Sequence, residues 1–406
     1  MKVWIITMAF PYPSETFACN DVSALRRAGI EVVVHGLRPE HPHFTQLVAE
    51  RGVSDIWITH NSIKNTLDGL RVALQYPRLL LNFIAWILRH SWKRPANLFK
   101  SLILVPRSLQ IFDLALQDPP EIIYLYWSHF PSLVGYLIQA RLPQIAVSIS
   151  FVAHDVYYPE FNSKDSYTGS VARQADVVQT ITAANIPAIE KFGIAKDNIA
   201  LSYHGIDLSR IPSAERKIGR RIVTAGRLIP EKGFDQVLEV FKQVLEVWSD
   251  ASLVVLGDGP ERENLEHLAC TLNIRHAVDF RGFVSHDEIF QAMAIAEVFL
   301  FMSFYQAERL SNVVKEAIGC RCLCVVSHTP GIEELIHDRV EGYIVQSGDL
   351  EGAAKRIHQV FSDPEQRIEM TEKAYQRLQD HFDLDQIIQK MQQNWQQALT
   401  KKQTQT

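Results

Sequence analysis

The chain of 406 residues is poor in cysteine and has no long apolar run. Its 5 cysteines, an odd number without secretory context, argue against a disulfide framework and for reduced thiols. No stretch reaches the roughly 20 apolar residues of a membrane span, and the nearest one, residues 79–88, is interrupted by Asn82. The first apolar run stops at Pro11 and is too short for a signal peptide. These absences predict a cytoplasmic protein that does not cross a bilayer.

Motifs for metals and dinucleotides are also missing. The one Asp-x-Asp triplet, at Asp383 and Asp385, precedes a predicted helix and is typical of an N-cap. The segment GDGPER after SLVVL lacks the three-glycine dinucleotide turn, which argues against a dehydrogenase. Cys320, Cys322 and Cys324 have a spacing that metal sites also use, but their apolar neighbours favour packing in a buried strand. We predict no catalytic metal and no cofactor.

Charge gives one exclusion and one local signal. The net charge of -5 does not indicate a nucleic-acid partner. Between Asp68 and Asp113 there is no acidic residue, whereas apolar and Trp residues are flanked by basic ones from Arg71 to Arg107. Two interpretations stay open for this basic insertion, residues 64–112. It is either a helical insertion packed on its domain with solvated cations, or a segment that contacts an anionic membrane surface through about residues 71–107.

What the chain does contain is a regular alternation. Val- and Ile-rich runs such as VWIIT, IEVVVHG, IIYLYW and IAVSISF alternate with helical patterns, and after a polar segment the pattern restarts with RIVTAG. Such alternation predicts an α/β fold with parallel, doubly wound sheets. We expect one Rossmann-like domain over residues 1–211 and a second over 212–380. Residues 381–406 should form a terminal helix, over about 384–399, that crosses back to the first domain and ends in a frayed tail.

Charged residues follow the predicted strand RIVTAG. Arg227 and Lys232 lie at its carboxyl end, where open α/β sheets bind ligands. A guanidinium and an ammonium at such an edge suit a diphosphate, although surface ion pairs would explain either residue alone.

A second candidate segment is FYQAERLSNVVKEA, in which Glu308 and Glu316 are seven residues apart. Glu308 lies in the predicted loop and Glu316 in the first turns of the following helix, so the two carboxylates can bind two different hydroxyl-bearing rings. The residues between them that open the helix supply backbone N–H groups for an anion: Ser311, Asn312 and Val313.

In this order, TAGRLIPEKG, VLGDGPER, the Glu308 to Glu316 spacing and TPGIEELI resemble the retaining glycosyltransferases of family 4, which have the GT-B fold. That fold consists of two Rossmann-like domains facing a cleft. In the first domain, FPYPSETF, YLYWSHF, FVAHDVY and YHGID resemble the members that assemble bacterial exopolysaccharide and other surface glycans. The resemblance covers nearly the whole chain.

The resemblance implies a role for each candidate residue. Arg227 and Lys232 would hold the donor diphosphate, Glu308 would contact the donor sugar, and Glu316 would bind the ribose. His154, directly after the strand IAVSISF, would meet the donor sugar from the first domain. Glu15 and Thr16 stand where many relatives have a glycine pair, and we expect them to contact the acceptor or the donor phosphates.

The sequence departs from the family pattern at Arg309, where relatives usually have Gly after the first Glu of the pair. A guanidinium there narrows the sugar pocket or adds a charge to it. The segment GCRCLC also lacks the usual Gly and Pro.

The expected activity is transfer, with retention, of a sugar from a nucleotide-sugar donor to a glycan or lipid-linked acceptor. Two alternatives remain open: an epimerase of nucleotide sugars, and a non-catalytic protein that binds them.

Overall fold

A computed structural model describes residues 1–12, 15–157, 165–212, 217–305 and 307–405, with the backbone alone for His154 and Gln405. Within these residues the chain divides into two compact units. Unit 1 comprises Met1–Gly205 and Leu384–Thr406, and unit 2 comprises Ile206–Asp383.

Unit 1 is built on a seven-stranded sheet in which every neighbouring pair is parallel. Its strand order is β3-β2-β1-β4-β5-β6-β7. The order in which the strands are added to the sheet therefore reverses between β1 and β4. Its elements are β1 (Lys2–Thr7), α1 (Thr16–Arg27), β2 (Glu31–Gly36), α2 (Phe44–Glu50), β3 (Trp57–Thr59), α3 (Ile63–Gln75), α4 (Pro77–Ser91), α5 (Pro95–Gln117), β4 (Ile122–Leu125), α6 (Ser132–Arg141), β5 (Ala146–Phe151), α7 (Ala153–Tyr157), α8 (Tyr167–Ala172), β6 (Val177–Thr180), α9 (Ile186–Glu190) and β7 (Ile199–Leu201).

Unit 2 repeats the plan with a six-stranded parallel sheet of order β10-β9-β8-β11-β12-β13. The order in which the strands are added to this sheet reverses between β8 and β11. Its elements are β8 (Arg221–Ala225), α10 (Phe234–Val247), β9 (Ser252–Leu256), α11 (Arg262–Thr271), β10 (Val278–Gly282), α12 (His286–Ile295), β11 (Val298–Phe301), α13 (Asn312–Gly319), β12 (Leu323–Ser327), α14 (Ile332–Leu335), β13 (Tyr343–Val345), α15 (Leu350–Ser362) and α16 (Pro364–Phe382). The α/β prediction with two doubly wound parallel sheets is confirmed.

The central strands are apolar on both faces because helices cover both sides of each sheet. In β4 and β5 every residue is buried, and the same holds for β11 and β12. Cys320, Cys322 and Cys324 are buried in the core of unit 2, which confirms the packing interpretation of the cysteine run.

The terminal helix α17 (Leu384–Gln405) belongs to unit 1 and is longer than expected. Trp395 is fully buried, and its ring lies 5.4 Å from that of Tyr124. The helix continues to Gln405, beyond the predicted end near 399. Near its end Lys402 donates to the Asp176 carboxylate (2.8 Å) and to the Ile145 carbonyl (3.1 Å), which ties the last turns to the sheet.

The basic insertion forms the three helices α3, α4 and α5. One of its cations does not belong to the surface, contrary to expectation. Arg107 is 1% exposed and donates to the carbonyls of Gly36 (3.1 Å) and Thr59 (3.2 Å), so it holds α5 against the ends of β2 and β3. In the described part of the chain, no helix is long and apolar enough to span a membrane.

Candidate functional site

In unit 2 the loops that follow β8 and β11 meet at the point where the strand order reverses. Gly233 has φ +66° and approaches β11 so closely that a Cβ would lie 2.1 Å from the Met302 carbonyl oxygen. The Glu231 carbonyl accepts from Phe304 N (3.0 Å) and Ser303 Oγ (3.2 Å). A glycine is therefore required where the two loops are joined.

This junction brings two predicted residues into contact across 76 positions of sequence. Lys232 Nζ donates to Glu308 Oε2 and also lies 5.4 Å from the centre of the Phe301 ring. The side chains of Lys232 and Glu308 are 20% and 10% exposed. Each charge is partly desolvated and neutralised by the other, so a ligand that enters between them meets one cation and one anion.

Arg227 lies on the same loop as Lys232 but has a different environment. Its neighbour Leu228 is buried and fixed by two backbone bonds, from Leu228 N to the Asp258 carbonyl (3.0 Å) and from Glu261 N to the Leu228 carbonyl (3.1 Å). The Arg227 side chain is exposed and forms no ion pair with a described residue. A fixed backbone therefore presents a guanidinium that is available to an anion.

Arg309, the departure from the family pattern, is buried in the loop after β11. It is 4% exposed, and its Nη1 donates to the Glu308 carbonyl oxygen (2.7 Å). The guanidinium thus contacts the backbone of the residue that pairs with Lys232, and it adds a cation to the loop after β11.

The helix α13 begins directly after this loop. Ser311 is its N-cap residue but its side chain makes no capping bond. Asn312 Oδ1 accepts from Lys315 Nζ (3.0 Å), and Asn312 and Val313 are half-buried. The first N–H groups of a helix have no partner within the helix, so this end suits an anion.

Glu316 has a partner that the sequence did not indicate. His286 Nε2 lies 2.9 Å from Glu316 Oε1, and the two side chains are 17% and 13% exposed. The imidazole ring also stacks on Phe290 at 4.6 Å, and its buried Nδ1 has no partner among the described residues. His286 thus orients the carboxylate for which a ribose-binding role was implied.

His286 opens α12, directly after the Ser285 N-cap. Ser285 and Glu288 form a capping box in which each side chain bonds to the other residue's backbone N–H. The S-x-x-E pattern after β10 was the one signal for the start of this helix, and it fixes where His286 stands. No motif marked His286 itself as a site residue.

In unit 1, Glu15 and Thr16 lie at the start of α1, after β1. Glu15 N donates to the Tyr12 carbonyl (3.0 Å), and both residues are half-buried. Burial raises the pKa of Glu15 to about 7, against a smaller lowering by Arg38. A carboxyl with this pKa can accept or donate a proton near neutral pH.

His154 is the second residue of α7, after β5, and its side chain lies outside the described residues. Its neighbour Asp155 is fully buried and accepts from the backbone N–H groups of Ser128 and Val152 (both 3.2 Å). Burial raises the pKa of Asp155 to about 7. Asp155 therefore joins the loops after β4 and β5.

Aromatic rings cluster near the start of α1 and after β4 and β7. The Phe17 ring is 4.5 Å from His204 and 6.1 Å from Trp127. Below them Asp21 Oδ2 accepts from Tyr126 OH (2.6 Å) and lies 3.2 Å from His204 Nδ1. Sequence reasoning had not singled out these rings, because isolated aromatic residues near strand ends do not distinguish a site from a core.

In the part of the chain that the structure describes, no group of three or more His, Cys, Asp or Glu side chains could hold a metal ion.

Comparison with known proteins finds a family match in the second unit. Residues 207–377 match the family model described as glycosyl transferases group 1. An alpha-D-kanosaminyltransferase of Streptomyces kanamyceticus is 30% identical over 153 residues, which are 38% of this chain and 39% of that protein. The chain therefore matches well under half the length of this relative.

Two other matches extend over nearly the whole chain. A putative colanic acid biosynthesis glycosyltransferase, WcaL, of Escherichia coli (strain K12) is 23% identical, covering 94% of this chain and 96% of that one. The crystal structure of HepE from Anabaena in complex with UDP superposes with a TM-score of 0.75 at 17% identity, covering 98% and 100% of the two chains. The chain thus has the GT-B fold, matches the glycosyl transferases group 1 model over residues 207–377 and is similar to curated glycosyltransferases.

Proposed function

We propose that this chain is a retaining, metal-independent glycosyltransferase that moves a sugar from a nucleotide-sugar donor to a glycan or lipid-linked acceptor. The observation that carries the proposal is the contact between Lys232 and Glu308, with the exposed Arg227 on the same loop as Lys232. This contact lies where the strand order of the second sheet reverses. Open α/β sheets bind their ligands at such a position.

The charges suit the two ends of a nucleotide sugar. Arg227 and Lys232 would bind the diphosphate, and the N-terminus of α13 at Ser311, Asn312 and Val313 adds backbone N–H groups. Glu308, released from Lys232 by the diphosphate, would accept hydrogen bonds from sugar hydroxyls. Glu316, oriented by His286, would do the same for the ribose.

These cations replace a metal ion in the proposed mechanism. Negative charge grows on the diphosphate as it leaves, and Arg227 and Lys232 would stabilise that charge without reorganising. Removal of one such donor typically lowers kcat by about 10²–10³.

Retention is proposed to follow from attack on the face that the diphosphate leaves. The acceptor oxygen bonds to C1 of the sugar as the bond from C1 to the diphosphate oxygen breaks, and the acceptor proton passes to the departing phosphate oxygen. From unit 1, His154 would contact the donor sugar, and Glu15 and Thr16 would contact the acceptor or the donor phosphates. A glycosylated enzyme side chain trapped with a slow donor would contradict this single-step route.

The cellular role that we propose is synthesis of exopolysaccharide or another surface glycan, on the cytoplasmic face of a membrane. The match to WcaL over 94% of the chain supports the first part of this proposal. The basic insertion supports the second part.

A screen of donors tests the proposal. The purified chain is incubated in EDTA with UDP-, GDP- and ADP-sugars, with and without lipid extract as acceptor, and release of nucleoside diphosphate is followed together with the fate of the sugar. Acceptor-dependent release and a glycosylated lipid are expected. A donor converted to its epimer without acceptor would favour an epimerase, and binding without turnover would favour a non-catalytic protein.

A further inference from the structure

The helix α3 exposes an apolar stripe that its own domain does not cover. Ile63, Leu67, Leu70 and Leu74 follow one another at helical spacing and are all exposed, with Ile63 at 83% and Leu74 at 84%. The opposite face of the helix, with Gly69, Val72 and Ala73, is buried. An amphipathic helix normally turns its one apolar face to the core. This helix has a second apolar face directed to the outside.

A neighbouring helix, α5, also exposes apolar side chains. Gly69 lies so close to α5 that a Cβ there would be 1.8 Å from the Pro106 carbonyl oxygen, and Gln75 and Phe112 line the same cavity of about 480 Å³. The two helices therefore run side by side in the same direction. That register brings Ile63 and Leu67 to the end of the helix pair that carries further exposed apolar residues: Phe99, Leu102 and Ile103.

We call these seven residues the apolar face: Ile63, Leu67, Leu70, Leu74, Phe99, Leu102 and Ile103. Trp92 lies in the turn before α5 and is exposed as well, and Lys93 Nζ lies 5.5 Å from the centre of its ring. Monomeric soluble proteins rarely leave large contiguous apolar patches exposed, and such patches mark interaction sites.

The charges around the apolar face identify the kind of partner. The exposed charged side chains of α3 to α5 after Asp68 and before Asp113 are all cationic, and none forms an ion pair with a described residue: Arg71, Arg78, Arg89, Lys93 and Lys100. In unit 2, by contrast, exposed cations are often paired, as in the contacts of Lys373 with Glu369 and of Arg281 with Asp279. A surface whose exposed charged side chains are unpaired cations complements a negatively charged surface.

We propose that the apolar face is the surface by which this chain docks on an anionic lipid bilayer. Leu, Ile and Phe side chains enter the boundary between headgroups and acyl chains, Trp92 lies at the headgroup level, and the cations contact the lipid phosphates. The sequence predicted contact through about residues 71–107, whereas the strongest apolar exposure lies on α3 and α5. The inference deepens the membrane location proposed above, on which it rests, and does not depend on sugar transfer.

Flotation of the full chain with vesicles tests the inference. Vesicles of phosphatidylglycerol mixed with phosphatidylcholine should bind the chain about ten-fold more strongly than vesicles of phosphatidylcholine alone, and binding should weaken with salt. The triple variant Leu67→Ser, Leu70→Ser, Leu74→Ser should lose about ten-fold in binding, because each Leu contributes buried apolar surface. Val247→Ser with Ile368→Ser, at exposed apolar positions of unit 2, is the matched control and should bind like the native chain.

A second set of variants tests the charges. Arg71→Gln, Arg78→Gln, Lys100→Gln should lose about ten-fold on anionic vesicles, whereas Lys242→Gln, Lys355→Gln, Lys390→Gln removes the same charge from exposed positions elsewhere and should lose less. All these positions are exposed, so melting temperatures should stay close to the native value. Nucleotide-induced thermal shifts on the same samples report donor binding separately.

Two results would overturn the inference. One is absence of flotation with anionic vesicles, or equal flotation of the leucine triple variant and its control. The other is a dimer of the native chain, seen by light scattering, that the leucine triple variant dissociates; the apolar face would then cover a second copy.

Discussion

The strand-end loops of the two units share a topology but differ in chemistry. In unit 2 the loops after β8, β10 and β11 carry ionisable groups in contact, Lys232 with Glu308 and His286 with Glu316. In unit 1 the loops after β1 and β4 carry Phe17 and Trp127 above a buried carboxylate network. Paired charges suit a charged ligand such as a diphosphate, whereas aromatic rings suit a less charged one. The residues at the strand ends, and not the fold, therefore determine which kind of ligand each unit suits.

The largest effect should come from Lys232→Ala. Glu308 would lose its partner, the diphosphate would lose a cation, and the transfer rate should fall about 100-fold or more. Steady-state kinetics, with the donor that the screen selects, measures this fall in rate. Lys242→Ala, which removes an exposed lysine from α10, should leave the rate unchanged. Equal losses in both variants would mean that the contact of Lys232 with Glu308 has no special role in transfer.

A smaller loss is expected from His286→Ala. Without the imidazole, Glu316 keeps its charge but loses its orientation, so KM for the donor should rise about ten-fold while kcat changes little. Glu316→Gln, which keeps the shape of the side chain, should give a similar rise. If kcat fell instead, Glu316 would act on the reacting sugar rather than on the ribose.

A pH-dependent effect is expected in unit 1 from Glu15→Gln. The pKa of Glu15 rises from 4.5 to about 7 on folding, so between these values the folded chain holds a proton that the unfolded chain has released. The free energy of unfolding of the native chain should therefore fall as pH rises through this window. Glu15→Gln removes that dependence and should gain on the order of 1 kcal/mol relative to the native chain between pH 5 and pH 8.

Denaturant unfolding at the two pH values measures the Glu15→Gln difference. Glu246→Gln, at an exposed position, is the control and should show none of it. A stability difference that is constant with pH would mean that Glu15 is ionised in the folded chain at pH 5.

The smallest effect should come from Arg309→Lys. The lysine ammonium lacks the guanidinium N–H that Arg309 donates to the Glu308 carbonyl oxygen. The free energy of unfolding should therefore fall by about 1 kcal/mol, or the melting temperature by roughly 2–4 °C. Differential scanning calorimetry measures this loss. A larger change in donor preference than in stability would indicate that the guanidinium contacts the sugar.

The sequence was sufficient for the parts of the structure that depend on local pattern. Buried strands and amphipathic helices have distinct periods, so both sheets followed from alternation alone, and Arg227 and Lys232 were recognised from their place after a strand. Contacts between distant segments were not predictable in this way. The Lys232 to Glu308 pair depends on the close approach at Gly233, and His286 becomes a partner of Glu316 only when α12 and α13 are packed.

Burial was the other property that the sequence did not specify. Arg107 belongs by composition to the basic insertion, yet it is buried because carbonyls at the ends of β2 and β3 accept its N–H groups. Conversely, Ile63 and Leu74 have side chains that are typical of a protein core, yet both are exposed. Hydrophobic periodicity gives the faces of a helix but not which face meets the core.

The central claim is that unit 2 holds a nucleotide diphosphate with side-chain cations and without a metal. Isothermal titration calorimetry with UDP, GDP and ADP in EDTA, on the native chain and on Arg227→Ala, tests it most directly. We predict that one nucleotide binds the native chain and that its Kd rises at least about ten-fold in Arg227→Ala, the loss of one charge-assisted contact. Binding that needs Mg²⁺ or Mn²⁺, or a Kd unchanged by Arg227→Ala, would contradict the claim.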